Sequence, residues 1–374
     1  MSRPPRLALL PPRVWHSTWG QEKNLTAHLA GRYSIDVLDL VDFGRRHAKA
    51  GPNRFPLPAG VRLIPRATPP GLLLQGLYLE LANCWRLLFG GYDLLVTYLT
   101  TGGLLAALAA RLKGTRILLI YADDYVAFYR AKSRLAGWLT ARLANPAVAR
   151  SAQAVVATAE LLAEDLRPYH PGVIRIPNGT DVRRLGKVPA RTGGRFTVGF
   201  VGGFGHWVDF EAVVQAVRLL PETRFVLVGG GDRFEEVQGW ARDLANLELT
   251  GQVGYDRVLK ELGRMDLCLI PFKVSGLTDR VSPIKLFEYW AAGRPVAATP
   301  IREVRLAAGE EAAAFYQAGE GADLARVITE LKENRGQRQR MVAAGRKRLA
   351  EHDWSRIGDR YLDLLGGLEA EPAG

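Results

Sequence analysis

Only two cysteines, Cys84 and Cys268, occur in this chain of 374 residues, and they lie far apart in apolar surroundings. That excludes a disulfide framework and a cysteine metal cluster, and it points to a reducing compartment, the cytoplasm. The six histidines are scattered, which agrees. Acid is scarce: 38 Asp and Glu face 50 Lys and Arg, a formal charge of +12. Such an excess favours anionic partners such as phosphorylated metabolites or acidic lipid. Nucleic acid is not expected, because no basic-aromatic recognition module accompanies the charge. Long hydrophobic runs are missing too. The uncharged stretch from Leu94 to Ala110 is divided by Thr100, Thr101, Gly102 and Gly103 into strand, turn and helix. The opening MSRPPRLALLPP has too short an apolar run before its prolines to read as a secretory signal. There is no short-period repeat.

What is present is alternation. Short leucine-rich or β-branched runs at residues 6–11, 34–40, 61–65, 93–99, 115–122, 153–158 and 173–177 are separated by helical patterns. A second series follows at 196–203, 224–231, 247–251, 266–272, 295–299 and 312–316. This predicts an α/β chain with parallel sheets covered by helices. The Pro-, Gly- and Arg-rich stretch 177–195 reads as the join between two similar halves. Two Rossmann-like domains facing a cleft are therefore expected, spanning 1–180 and 181–351.

One segment asks for a ligand: SPIKLFEYWAAGRPVAATP, residues 282–300. Ser282 can cap a helix, Pro283 suits its first position, and Gly293 suits the left-handed residue after the last turn. Lys285 and Glu288 are three apart and share a face near the helix start. A phosphate could meet the free N–H groups and Lys285 while Glu288 accepts hydroxyl hydrogens beyond it, although an exposed Lys–Glu pair on an ordinary helix has the same spacing. Upstream, GFVGGFGHW (199–207) is a glycine-rich turn directly after a strand, where backbone N–H groups can approach phosphate. Gly229, Gly230 and Gly231 read either as a strand end that something flat approaches or as a plain turn. No acidic residue ends the next strand as a dinucleotide-binding fingerprint requires, since Asp232 comes only after those three glycines.

These segments carry a resemblance. SAQAVVATAELLAEDLRPYHPGVIRIPNGTD (151–181), VGFVGGFGHWVDF, LTGQVGYDRVLKELGRMDLCLIPF (249–272) and SPIKLFEYWAAGRPVAAT occur in an order similar to the group 1, or family 4-like, glycosyltransferases of GT-B architecture, including teichuronic-acid-type enzymes of surface polysaccharide assembly. The resemblance covers residues 150–360. It implies transfer of a sugar from a nucleotide-sugar donor to a glycan or lipid-linked acceptor, with retention of configuration. It assigns Glu288 to the donor ribose. The helix start, Ser282, Pro283, Ile284 and Lys285, goes to the diphosphate, and Gly203, Gly205, Gly230 and Val253 go to the rest of the donor site. Lys285 would neutralise leaving-group charge alongside preorganised N–H groups, so no obligatory metal or other cofactor is expected. The final segment HDWSRIGDRYLDLL (352–365) resembles a closing helix that packs back onto the first domain.

Two departures stand out. Related enzymes often carry another Glu eight positions before the second, where this chain has Arg280; it could bind phosphate or a carboxylated sugar, or lie in an exposed loop. The basic pair often found after the glycine turn is replaced by His206, Trp207 and Asp209.

In the first half, YADDYVAFY (121–129) ends a strand with Asp123 and Asp124, either of which could orient an acceptor hydroxyl, act as general base or cap a helix. In WHSTWGQEKN (15–24), His16 and Gln21 could touch sugar and Trp15 or Trp19 could stack on it. Residues 69–92 and 129–150 combine leucine and tryptophan with mainly basic charge, a pattern of packing helices and of peripheral contact with an anionic membrane. The reading is a cytoplasmic glycosyltransferase, with peripheral contact at the inner membrane face as the expectation these segments raise. A nucleotide-sugar epimerase and a non-catalytic nucleotide-sugar-binding partner of another transferase are its alternatives.

Overall fold

The computed structural model describes residues 3–13, 15, 20–42, 57–68, 72–191 and 193–370. Every apolar run of the first series becomes a strand: β1 Arg6–Leu10, β2 Ser34–Asp42, β3 Val61–Thr68, β4 Leu94–Thr97, β5 Arg116–Tyr121, β6 Ala154–Ala157 and β7 Val173–Arg175. So does every run of the second: β8 Thr197–Val201, β9 Arg224–Val228, β10 Leu247–Gly251, β11 Leu267–Ile270, β12 Val296–Ala298 and β13 Ala314–Phe315. Most strands are a few residues shorter than their apolar runs. The runs continue into glycines, prolines and aromatic residues that leave the ladder.

The chain divides into two compact units, one of residues 1–177 and 355–374, the other of 178–354. In the first, the order is β3-β2-β1-β4-β5-β6-β7; in the second it is β10-β9-β8-β11-β12-β13. Every pairing between these strands is parallel, with Leu9 beside both Val37 and Val96, and Cys268 beside both Val296 and Gly199. Parallel strands need crossover helices, which bury both sheet faces. Accordingly β4, β6, β8 and β11 are buried at every residue. Each sheet has one point where strand order reverses, β1 beside β4 and β8 beside β11, and ligands of such sheets bind beyond the carboxyl ends of the strands there.

Each unit has its own core. In the second, Trp290 is fully buried beside Phe287, and its indole N–H donates to the Ala312 carbonyl at 3.0 Å. A Cβ on Gly345 would lie 2.5 Å from that ring. In the first, the closing helix Trp354–Ala370 is held against the helix Gln21–Leu29 by polar contacts. Gln21 Nε2 donates to the buried Tyr361 hydroxyl at 3.1 Å, and His28 meets Asp359 at 3.0 Å. Gln21 is thus a packing residue on its amide nitrogen side.

Candidate functional site

In the second unit, the elements that flank the reversal point are the glycine turn after β8 and the helix Ile284–Ala291 after β11. Strand ends lace the turn in place. The Gly202 N–H donates to the Val228 carbonyl and the Phe204 N–H to that of Gly230, both at 2.9 Å, while the Gly229 N–H reaches the Gly251 carbonyl at 3.1 Å. Phe204 is fully buried against Phe200, Phe210 and Phe234, anchoring the turn from below.

Two of the three glycines after β9 serve this backbone packing. Gly229 and Gly231 have φ of +138° and +150°. A Cβ on Gly229 would lie 1.9 Å from the Gly202 carbonyl oxygen, and one on Gly231 would lie 2.9 Å from Phe204 backbone atoms. What approaches that strand end is the neighbouring turn. Gly230 differs, since a Cβ there meets only Gln252 at 3.5 Å, an ordinary contact. Gly203 faces open space, whereas the place of a Gly205 side chain is taken by the Trp207 ring at 2.4 Å. Sequence reasoning passed over Gly202. A Cβ on it would stand 2.5 Å from Lys285 Cε and 3.1 Å from Lys285 Nζ, so its bare backbone is what lets Lys285 lie across the turn.

The helix start corrects one expectation. Ser282 does not cap; its Oγ accepts the Asn178 N–H at 3.0 Å and ties the first residue of the unit to this loop. Pro283, with φ −82° and ψ 71°, stands at the cap position instead of the first helical position and offers no side-chain acceptor. The helix, Ile284 onward, thus begins without a side-chain cap, but the Ile284 N–H donates to the Ser282 carbonyl and the Leu286 N–H to that of Pro283, both at 2.9 Å, so of these first three N–H groups that of Lys285 is the one left for an outside acceptor among the described residues. The other end is as expected. Gly293 has φ +67°, its N–H donates to Trp290 and that of Arg294 to Tyr289, the double bond of a Schellman ending.

Lys285 and Glu288 are both partly buried, and neither has a hydrogen-bond or ion-pair partner among the described residues. Burial raises the Glu288 carboxyl above its usual range, and Lys285 opposes that shift. A residue missed in the sequence joins them. Tyr255 opens the helix after β10; burial and then the Glu288 charge push its phenol up to about 12, with Arg184 opposing. The Arg184 guanidinium lies 4.1 Å over the Tyr255 ring and pairs with Asp256 at 2.8 Å. An aromatic residue just past a strand's carboxyl end was the available signal. Val253, between them and β10, packs half-buried against the unit's core. Arg280 folds back on its own loop, donating to the Gly276 carbonyl at 2.9 Å, while Asp279 accepts the Arg302 N–H at 2.8 Å.

In the first unit, residues from β1, β4 and β5 gather at the other reversal point. Arg13 lies 4.0 Å from Asp123 and 3.9 Å from Glu22. Glu22 is buried and pairs with Lys23 at 2.8 Å, and Lys23 sits 5.1 Å over the Trp15 ring. Asp123 is open to solvent on one side, yet the protein around its carboxyl raises its pKa, with Arg13 opposing. Burial pushes the Tyr98 and Tyr125 phenols well up, and both hydroxyls are buried without a hydrogen-bond partner among the described residues. Asp124 resolves as the capping alternative: its Oδ1 accepts the Ala127 N–H at 2.9 Å at the start of Tyr125–Lys132. Trp15 is a core residue, fully buried, whose backbone N–H donates to Asp39 Oδ1 at 2.7 Å. His16 and Trp19 lie outside the described residues. Among the described residues no group of three His, Cys, Asp or Glu side chains is placed to hold a metal ion.

Two family profiles match this architecture. The 4-like glycosyl transferase domain covers residues 23–179, and the group 1 glycosyl transferases cover residues 195–334. The chain belongs to the group 1, 4-like glycosyltransferase family with two Rossmann-like domains. Among similar proteins, a Bacillus subtilis (strain 168) protein named as a teichuronic acid biosynthesis glycosyltransferase is 33% identical over 107 residues, 27% of this chain and 26% of that protein. The phosphatidyl-myo-inositol mannosyltransferase of Mycobacterium leprae is 28% identical over 200 residues, 50% of this chain and 52% of that one. The chain therefore spans about a quarter and about half of the lengths of these relatives. The solved structure of Anabaena HepE with UDP and glucose has the same fold, with a TM-score of 0.69 over 96% of this chain and 99% of that one, at 15% identity.

Proposed function

We propose that this protein transfers a sugar from a nucleoside diphosphate sugar to a hydroxyl of a lipid-linked or polysaccharide acceptor, with retention of anomeric configuration, in the cytoplasm. The observation that carries the reading is Lys285. It lies across the bare Gly202 backbone, at the uncapped start of the helix that bears Glu288. The Lys285 N–H at the helix start and the Lys285 ammonium, which has no ion-pair partner among the described residues, make a receptor for a diphosphate. Breaking the sugar–phosphate bond builds negative charge on the departing diphosphate, and preorganised donors stabilise it where it develops. In this reading no metal is required. Glu288 accepts the ribose hydroxyl hydrogens, Tyr255 and Val253 border the nucleoside, and Gly203 leaves room for the donor. Support for a nucleotide donor comes also from HepE, whose structure holds UDP and glucose.

On the first unit, Asp123 is the group suited to orient an acceptor hydroxyl. Its raised carboxyl and the adjacent Arg13 give it the character of a proton acceptor poised by one cation.

The test is turnover. Incubated with a lipid-linked or polysaccharide acceptor and a panel of UDP-, GDP-, dTDP- and ADP-sugars, the protein should release one nucleoside diphosphate as the sugar passes to the acceptor hydroxyl. Lys285→Ala should lower kcat by about two to three orders of magnitude, as loss of a charge-stabilising donor does elsewhere. Nuclear magnetic resonance of the product's anomeric proton decides retention. A Lys285→Ala variant with undiminished kcat would remove the diphosphate assignment.

A further inference from the structure

We propose that the ring of Trp207 is the platform on which the transferred sugar of the donor stacks. The inference rests on the transferase reading and adds to it the residue that holds the sugar. Among the described Phe, Tyr and Trp residues of the second unit only two are exposed, Trp207 by 44% and Tyr255 by 38%. Both stand just past the carboxyl end of a strand, Trp207 after β8 and Tyr255 after β10. Single exposed apolar residues are ordinary, but here both exposed rings fall at the one end of the sheet where a ligand is expected.

The two rings bracket the candidate donor site in a fixed order. Tyr255 lies in the field of Glu288, Glu288 in that of Lys285, and Lys285 lies across Gly202. From Gly202 the glycine turn runs on to Gly205 and Trp207. A nucleoside diphosphate sugar has the matching order: nucleoside, two phosphates, sugar. With the nucleoside at Tyr255 and Glu288 and the phosphates at Lys285 and Gly202, the sugar falls at the Trp207 end.

The Trp207 ring is seated flat and its backbone is fixed. Its Cη2, Cζ2 and Cζ3 atoms would all stand at nearly the same distance from a Cβ on Gly205, which only a ring met face-on gives. The bare Gly205 thus takes one face, and the exposure belongs to the rest of the ring. On either side the backbone is tied: the Val208 N–H donates to the Gly205 carbonyl at 3.1 Å, the Lys273 N–H to that of Trp207 at 2.8 Å, and Val208 pairs antiparallel with Phe272. A platform ordered before its ligand arrives avoids the entropy of ordering it on binding. Sugar chemistry suits such a surface. A pyranose has a face of weakly positive C–H groups, which meets the negative face of an indole, and a rim of hydroxyls. Next to the ring, His206 and Asp232 stand 4.0 Å apart, their side chains exposed by 79% and 84%, and offer that rim hydrogen-bonding groups.

The experiment is isothermal titration of the full chain with UDP, GDP, dTDP and ADP and with the glucose conjugate of each, for the parent, Trp207→Leu and Trp207→Phe. Leucine keeps an apolar cover on Gly205 but has no π face; phenylalanine keeps both. For the nucleotide that binds, the three proteins should have Kd values within about twofold of one another. For its glucose conjugate, Trp207→Leu should bind about tenfold more weakly than the parent and Trp207→Phe within about threefold of it. A conjugate bound equally well by the parent and Trp207→Leu would overturn the proposal and leave the transferase reading standing. Equal losses for nucleotide and conjugate would overturn it as well, by placing the ring on the nucleoside or giving it a packing role alone. If the folded parent binds no nucleotide, the donor site itself fails and this inference falls with it.

Discussion

Glu288 is a carboxylate without a donor among the described residues, held partly out of water with the Lys285 cation near. Its folded pKa is raised, so the folded chain binds a proton at Glu288 more readily than the unfolded chain does. The stability this confers is present below the unfolded pKa and is lost as pH rises through the folded one. At neutral pH the ionised group therefore costs stability, and Glu288→Gln should raise Tm there. Ligand binding has the opposite sense. Accepting two ribose hydroxyl hydrogens needs the carboxylate, so nucleotide affinity should weaken as pH falls through the raised pKa, earlier than for an ordinary glutamate. In Glu288→Gln that slope should vanish; calorimetric Kd values across pH for both proteins check it, and parallel profiles would contradict it. A residue that destabilises the empty protein yet improves the occupied one belongs to a binding site.

At the scale of elements, the glycine turn shows which features a sequence makes visible. Its position after an apolar strand was legible, because glycine clusters end strands. Its internal division of labour was not. Gly229, Gly230 and Gly231 look alike in sequence, but only Gly229 and Gly231 have a positive φ and a neighbouring backbone in the place of a side chain. Gly229→Ala should therefore cost about 3 kcal/mol or more, from strained φ and the clash with Gly202, whereas Gly230→Ala should cost less than about 1 kcal/mol. Urea unfolding of the two variants measures the difference; equal losses would contradict the packing described. The helix Ile284–Ala291 teaches the same lesson. Its ending at Gly293 was legible because it depends on adjacent residues alone. Its beginning was not, because Ser282 is claimed by Asn178, about a hundred positions away in sequence.

Across the whole molecule, both sheets were legible because strands buried on both faces leave near-continuous apolar runs, and thirteen such runs alternate with helical patterns. The reversal of strand order was also foreseeable as a consequence of the doubly wound class. What spacing does not reveal is which loops meet. Arg13, Glu22 and Asp123 come together only because β1 and β5 both flank β4, and Tyr255 reaches the field of Glu288 only because β10 and β11 lie in one sheet. Asp123 and Asp124, adjacent in sequence, part company for a similar reason: one caps a helix and the other faces Arg13.

In the function proposed above, the turn at Gly202 and the helix start at Lys285 form a nucleotide receptor completed by Glu288. Isothermal titration of the protein with UDP, GDP, dTDP and ADP, beside Glu288→Ala, tests it most directly. One of the four should bind the parent, and Glu288→Ala should lose about tenfold or more in affinity, the worth of a charge-assisted hydrogen bond to ribose. If well-folded parent binds none of them at millimolar concentration, or if Glu288→Ala binds as tightly as the parent, the receptor does not exist as described.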